Sequence, residues 1–597
     1  MAQYKVFAEG TDVFRKGVRA PYFVIDYTLT PTGFDGVEGT DWDNLQSFKS
    51  PFYTQEATYT PVGEITNKTN GVVHYKTTFY IPTGVTSFSF SDDGALMKAN
   101  LSEGTWSFTE QSSIISINIF NSLQSVYGNI QPPPQPIEGA LLLRNYDWSE
   151  WFTQEVYDYY DAQSWVKNEN DYPNKIYFDP TFAGTSDGSI NAPYKHIVDA
   201  PRQANTAYLF KRGTTMVMSD HRNFQTQCTN IMVGAYGEGA LPKVTNYGFQ
   251  FETDNCVIRD IDITYVQLGT INHAANNAVI FNKRGGSMWS WSHGMRLIGS
   301  EITDTSTNGL FQQLRSSNGS LNIQGHIEIA YCWIHKVNQL WTPSTGQWTA
   351  SGDCIIISLF RGTYHIHHNI LDRSDTGNKQ TLIINSHTNG GHMVGGIIED
   401  NLMYGPMGQP DGSSIIMLGN VVGENLPSPS AYHHSIIRRN VLIGTDYQGS
   451  NWTGAALYAT TTLCRVYGNI LMDLGYAAYI GSYNGQSEFW NNTVVKLKGT
   501  GGAIVGTLHY KYNNIFPSSN QGSSAQSGSG NNIDLSVTSP TDVFLNYAEE
   551  NFRLKTGSPA VDAGSYQSFM GSNYLTDIRG VSVPQNNNID IGALQKE

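Results

Sequence analysis

Three acids and three basic groups crowd the middle of this chain: Asp353, Asp375 and Asp411 with Arg361, Lys379 and His387. Two chemistries suit such a set. A pair of carboxylates can protonate a leaving oxygen and either activate water or attack directly. Alternatively, a base and an acid can eliminate across a uronate whose carboxylate is neutralised by Lys, Arg or His. Around them stand Trp341, Trp348, Arg373, Tyr404, Tyr447 and Trp452, flat rings and a cation suited to holding sugar rings and their hydroxyls.

Such residues act together only if the backbone brings them to one face. The phrase apolar–x–x–Asn–apolar recurs at Ile366-His367-His368-Asn369-Ile370, Ile398-Glu399-Asp400-Asn401-Leu402, Ile437-Arg438-Arg439-Asn440-Val441 and Val466-Tyr467-Gly468-Asn469-Ile470, with echoes at Asn492 and Asn514. Short Ile/Val-rich runs follow, such as Leu382-Ile383-Ile384 and Ile415-Ile416-Met417. A β unit repeating at this interval is a solenoid. Asn suits a tight turn between strands, because it tolerates left-handed backbone and its amide bonds to local backbone.

This pattern resembles the asparagine ladder of the right-handed parallel β-helix, the pectate-lyase-like superfamily. Fainter matches to the same position are Cys332, Glu301 and Asp260. The stretch Phe178-Asp179-Pro180 to His196-Ile197 resembles the family's opening. The stretches Gly557-Ser558-Pro559-Ala560-Val561-Asp562-Ala563-Gly564, Asp577-Ile578-Arg579-Gly580 and Asp590-Ile591-Gly592-Ala593 resemble its C-terminal closure. The fold class implied is all-β, a solenoid with a separate N-terminal β domain. The divisions expected are 1–130 for that domain, 131–173 for a Pro-rich linker and neck, 174–565 for the β-helix, and 566–597 for its closure.

The resemblance also implies where a substrate lies: on the sheet formed by the run after the Asn turn, exemplified by Ile355-Ile356-Ile357. The wall before that strand would hold Trp341, Trp348, Asp375, Lys379, Tyr404, Asp411, Asp446, Tyr447 and Trp452. The wall after it would hold Lys283, Arg284, Trp289, Trp291, Arg315, Arg361, His387, His392 and Glu424. Successive Asn-turn positions from 301 to 514 are separated by 22 to 39 residues, and the longer coils fall between 300 and 460. Extra residues in a solenoid become loops on one face. Ser351-Gly352-Asp353-Cys354-Ile355 resembles the Gly-Asp-Asp-Cys phrase of polygalacturonase-like hydrolases, but has one Asp where that family has two.

Composition narrows the partners. The net charge is −15, which argues against nucleic acid. No apolar run is long enough to span a membrane, and Met1-Ala2-Gln3-Tyr4-Lys5-Val6 lacks the apolar core of a signal peptide. Residues 281–380 carry eight Lys and Arg against six Asp and Glu, a local excess that suggests an anionic glycan. The five cysteines are scattered and read as buried small side chains. His365-Ile366-His367-His368 reads as polar strand residues rather than metal ligands. No cofactor is expected, with a structural or catalytic Ca2+ left open. A glycan-cleft solenoid without a signal peptide resembles a phage tail spike: a homotrimer on a virion tail, attached through its N-terminal domain, acting as a polysaccharide depolymerase. The alternatives are a secreted bacterial lyase or hydrolase, and a glycan-binding adhesin or virion structural protein without catalysis.

Overall fold

The computed structural model describes strand backbones between 3 and 111, and then residues 146–270, 275–305, 308–313, 324–337, 352–374, 380–386, 394–407, 414–420, 433–445, 454–459, 463–480, 487–498, 502–518, 525–567, 570, 576–584 and 588–596. The N-terminal strands pair antiparallel in two four-stranded sheets. One contains Gln3–Arg15, Val18–Leu29, Val72–Tyr80 and Val62–Thr69. The other contains Tyr53–Thr54, Ser87–Asp92, Ala95–Ser102 and Thr105–Gln111. The Pro-rich stretch 132–136 lies outside the described residues.

From Asn174–Phe178 onward every coil pairs in parallel with the next. Three parallel sheets result. The first holds strands such as Gln324–Ala330, Val394–Glu399 and His433–Arg438. The second holds Trp333–Ile334, Ile370–Asp372 and Leu402–Met407. The third holds the start of Ile355–His367, then Leu382–Ser386 and Ser414–Asn420. The chain runs first sheet, Asn turn, second sheet, third sheet, and back to the first one coil on. This is a parallel β-helix, and a right-handed path is the one that parallel crossovers follow generally. Inward side chains such as Ile329, Ile366, Leu371, Ile384, Met403 and Leu442 fill one continuous core, and the five cysteines are all buried.

The turn from first to second sheet is two residues long in each coil from Ser292–Ile298 to Ala525–Gly530. Its first residue has positive φ: Gly299, Tyr331, His368, Asp400, Arg439, Gly468, Asn491, Asn513 and Asn531. The ladder Asn is the second, so it is the preceding residue that turns left-handed. Each Asn instead supplies its amide. Asn440 Nδ2 donates to Ile398 O at 2.8 Å, Arg438 O at 2.9 Å and Asn469 Oδ1 at 3.0 Å, while its N–H donates to Asn469 Oδ1 at 2.9 Å. The same rungs join Cys332, Asn369, Asn401, Asn440, Asn469, Asn492, Asn514 and also Asn532. Earlier in the stack, strand register puts Ser300 rather than Glu301, and Ile261 rather than Asp260, in this position.

Elements outside the coils pack on the early coils of the first sheet and on the second sheet. Helix Gln154–Asp161 and the residues after it lay Val156, Tyr160, Val166 and Tyr172 on Ala207, Leu209, Met232, Val257, Val279, Phe281 and Tyr331 of the first sheet's flank. Its start is capped by Thr153, whose hydroxyl accepts from Val156 N. The C-terminal segment lays Phe544, Phe552, Leu554, Ile578 and Ile591 on the outward residues of the second sheet, including Val441, Ile470 and Ile515. Asn491 Nδ2 donates to Asp590 O at 2.8 Å and ties the closure to the Asn turn.

Candidate functional site

The outer face of the third sheet has a different character. Its strands alternate, with inward residues such as Ile355, Ile357, Leu382 and Ile384 in the core. The outward positions align in register from coil to coil. The row begins with Asn223, Gln250 and Gln267, continues through Trp289, Phe311, Ile356 and Ile383, and ends at Met417, Tyr458, Tyr479 and Val505. Ile356 and Ile383 are buried. The polar start of the row, Trp289, and the four residues from Met417 onward are half-buried. Tyr458 and Tyr479 stack with ring centroids 4.9 Å apart and planes 18° apart. Burial raises the Tyr458 hydroxyl's pKa, and the neighbouring Tyr479 adds to it. Trp289 and Trp291 form a second ring pair at 5.7 Å.

The two edges of this face absorb the variation in coil length. Between 301 and 506, connections into the third sheet run from three to twenty residues, and those out of it from none to twelve. Asp375, Lys379, His387, Asp411, Trp341, Trp348, Tyr447 and Trp452 fall in these edge connections and lie outside the described residues. Arg361 lies within strand Ile355–His367, its backbone opposite Gln324; its side chain is not described.

Asp353 is described and is fully buried at the entrance to the third sheet. Its N–H donates to Asn308 Oδ1 at 3.0 Å, and its carbonyl accepts from Gly309 N at 3.1 Å. It therefore lies below the face rather than on it. Arg373 is also buried, with one guanidinium nitrogen donating to Val337 O at 3.1 Å. Tyr404 does not belong to the wall of the third sheet. It points outward from the second sheet into the seam with the neck, its ring 5.5 Å from Tyr146.

Three cations of the locally basic stretch are engaged away from the third sheet's face. Lys283 occupies the ladder position opposite Ser300 and is buried, its Nζ donating to Gly285 O at 2.9 Å and Gly286 O at 2.6 Å; burial pushes its pKa down to about 7. Arg284 lies over the Trp148 ring of the neck at 4.4 Å. Arg296 meets Glu328 at 3.1 Å and lies over Trp165. These cations serve the turn and the first sheet's flank.

The His365–His368 run belongs to a buried polar cluster on the first sheet's outer face. His365 Nε2 is 2.8 Å from Glu399 Oε1, and His367 Nδ1 is 2.9 Å from His368 Nδ1, so one of those two rings donates and the other accepts. Among the described residues no group of three or more His, Cys, Asp or Glu is placed to hold a metal, and no helix is long and apolar enough to cross a membrane.

No protein-family model and no curated protein matches the chain. The solved structures to which it is similar include the following three. A pectate lyase, Pel9A, has 14% identity and a TM-score of 0.34, covering 71% of this chain and 97% of its own. A rhamnogalacturonan lyase has 12% identity and a TM-score of 0.32, covering 59% of this chain and 89% of its own. The catalytic domain of a GH87 α-1,3-glucanase, in complex with tetrasaccharides, has 9% identity and a TM-score of 0.25, covering 89% of this chain and 97% of its own. The fold assignment rests on the strand register and the Asn ladder, not on these likenesses.

Proposed function

We propose that the protein binds and depolymerises a surface polysaccharide laid along the outer face of the third sheet, in the manner of a phage tail-spike depolymerase. One observation carries the reading. The neck covers the early coils of the first sheet and the C-terminal segment lies on the second, while the third presents a row half-buried at both ends, with ring pairs, between edges that hold the chain's insertions. Clefts of this composition suit sugars, whose apolar ring faces pack on aromatics and whose hydroxyls bond to polar edges.

In this reading Asp375 and Asp411, on edge connections of neighbouring coils, act as acid and base, and Asp353 supports the strand entrance one coil before Asp375. Strands about 4.8 Å apart bring carboxylates on adjacent or next-adjacent coils within the separations used by retaining and inverting enzymes. Anionic groups on the glycan would meet Arg361, Lys379 and His387. The antiparallel N-terminal sheets would attach a homotrimer to a virion. The burial of Asp353 favours a second reading, an adhesin that binds glycan without cutting it.

The test is incubation of the full chain with capsular and exopolysaccharides, following viscosity, new reducing ends and the ultraviolet absorbance of an unsaturated uronate. Falling viscosity with new reducing ends and no absorbance means hydrolysis; absorbance means elimination. Retention of the polymer without any cleavage would leave the adhesin. A native mass of one chain rather than three would remove the tail-spike assignment.

A further inference from the structure

The early coils of the third sheet are built differently from the later ones. Their strands are Arg222–Phe224, Phe249–Phe251 and Val266–Leu268, and the outward residues in register are Asn223, Gln250 and Gln267. Coils repeat at about 4.8 Å, so three side-chain amides follow one another along the solenoid axis. The outer two are held in place. Asn223 Nδ2 donates to Glu252 Oε1 at 3.1 Å, while Gln267 Oε1 accepts from Tyr265 Oη at 2.9 Å and its Nε2 donates to Gly269 O at 3.0 Å. Gln250, between them, is half-buried, and its amide has no hydrogen-bond partner among the described residues.

Rings border the entrance to these strands. His221 meets Tyr247 at 5.0 Å and 83°, and Tyr265 at 5.1 Å and 63°. His221 and Tyr265 lie two coils apart, so their rings lean together across Gly248, where an added Cβ would come within 1.8 Å of Tyr265 O. His221 Nδ1 accepts from Gly248 N at 3.2 Å, so the neutral ring carries its proton on Nε2, and among the described residues nothing accepts that proton. Charge here is one-sided. The three strands hold one cation, Arg222, which is buried and donates through Nη2 to Ala200 O at 2.6 Å, whereas the half-buried Glu252 carboxylate lies beside the amides. A glycan carboxylate would meet a like charge and no cation. Neutral hydroxyls would meet amides that donate and accept at once.

Resting on the glycan reading above, we propose that Gln250, with His221 and Gln267 beside it, forms an anchoring subsite for a neutral, hydroxyl-rich segment of the glycan. Strand Leu382–Ser386, which follows the Asp375 connection, lies five coils beyond the Gln250 strand, about 24 Å along the axis. The subsite therefore holds polymer and takes no part in bond cleavage. Its contacts are the same before and during cleavage, so they govern binding and not turnover.

The experiment is affinity electrophoresis of the full-length protein in native gels cast with dextran, hydroxyethyl cellulose, galactomannan or polygalacturonate, with circular dichroism confirming that each variant is folded. Retardation of the wild type by at least one neutral polymer is expected. Gln250→Leu, which keeps the size and removes the hydrogen bonds, should weaken that retardation about tenfold, and Gln250→Glu, which removes the donor, should weaken it as well. On a polymer that the wild type degrades, Gln250→Leu should raise KM and leave kcat unchanged. A Gln250→Leu variant retarded like the wild type overturns the subsite while leaving the glycan reading intact. Weakening in Gln250→Glu alone overturns it too, because that variant adds a charge. A fall in kcat at unchanged KM overturns the anchoring role, and retardation by polygalacturonate alone overturns the neutral assignment. A wild type that no polymer retards counts against both this subsite and the glycan reading.

Discussion

His365 Nε2 lies 2.8 Å from Glu399 Oε1, and neither side chain reaches solvent. The carboxylate is shared: Arg438 Nε is 2.5 Å and Arg439 Nη2 2.7 Å from its other oxygen. Burial alone would raise the Glu399 carboxyl, but the two guanidiniums outweigh it and hold it well below the usual range. Burial, assisted by the charge of His367, pushes His365 down from 6.5 to about 4. The cluster is therefore built around a neutral His365 and an ionised Glu399.

Acidification should destabilise the fold through this cluster. Between about pH 6.5 and 4 the unfolded chain takes up a proton at His365 that the folded chain refuses, so stability falls as pH falls through that window, by about 3 kcal/mol in all. Glu399 acts in the same direction at lower pH: its stabilisation is present above 4.5 and is lost as pH falls through its depressed folded value. Asp400, raised mainly by burial, has the opposite sign and offsets part of the loss. Thermal midpoints measured from neutral pH to about pH 4 should fall, and His365→Gln should flatten the slope above pH 4. A wild-type midpoint indifferent to pH over this range would contradict a buried neutral His365.

Replacing Asn440 by Leu should remove a rung rather than a side chain. Asn401 N–H and Nδ2 both donate to its Oδ1, and Ile398 O and Arg438 O both accept from its Nδ2. Those buried groups would lose partners where water cannot replace them, at a cost of about 3 kcal/mol or more. Chemical denaturation should show that loss. Asn532→Leu should cost less, because the end of the ladder is only partly buried.

The ladder was legible because the turn is so constrained. Two residues, one with positive φ and one with an amide, leave a fixed signature wherever the second is Asn. The signature fades where other chemistry fills the position. At Ser300 a hydroxyl accepts from Lys283 N, at Lys283 an ammonium caps carbonyls, and Ile261 brings no polar side chain to the position, so the sequence pointed one residue away from Ser300 and Ile261, to Glu301 and Asp260. Tyr404 was misplaced for a different reason. Alternation tells which residues point out of a strand, but not which distant segment then covers them, and Tyr146 lies more than two hundred residues earlier. The Tyr458–Tyr479 row was visible as alternate positions in two short strands, yet its meaning depended on register that only the stacked coils supply.

The neck should prove inseparable from the coils. Tyr146 Oη donates to Asp372 Oδ2 at 2.5 Å, Trp148 Nε1 donates to Tyr331 O at 3.0 Å, and Arg259 pairs with Asp161 at 2.7 Å. A chain starting near 140 keeps these contacts and should fold as a soluble fragment. A chain starting at 174 exposes Leu209, Met232, Val257, Val279 and Phe281 and should aggregate or lose much of its thermal stability. Size-exclusion chromatography and thermal melts of the two fragments distinguish these outcomes. Equal behaviour of the two would mean that the neck contributes little to the fold.

The last prediction separates the edges from the strand entrance. Asp375 and Asp411 stand on connections into the third sheet, where a substrate on its outer face would pass, whereas Asp353 is buried and bonded through its backbone to the adjacent coil. Loss of a true general acid or base costs about 10²–10⁴ in rate and leaves folding intact. Asp375→Asn and Asp411→Asn should therefore lose activity at an unchanged melting temperature. Asp353→Asn should lower the melting temperature, because it alters a fully enclosed position, and should lower activity only in proportion to the unfolded fraction. Lys379→Ala should raise KM on a charged polymer more than on a neutral one. Each variant would be assayed on a glycan that the wild type degrades, with melting curves alongside. A large rate loss in Asp353→Asn at full stability would instead place the acid at the strand entrance and require the face above it to open during turnover.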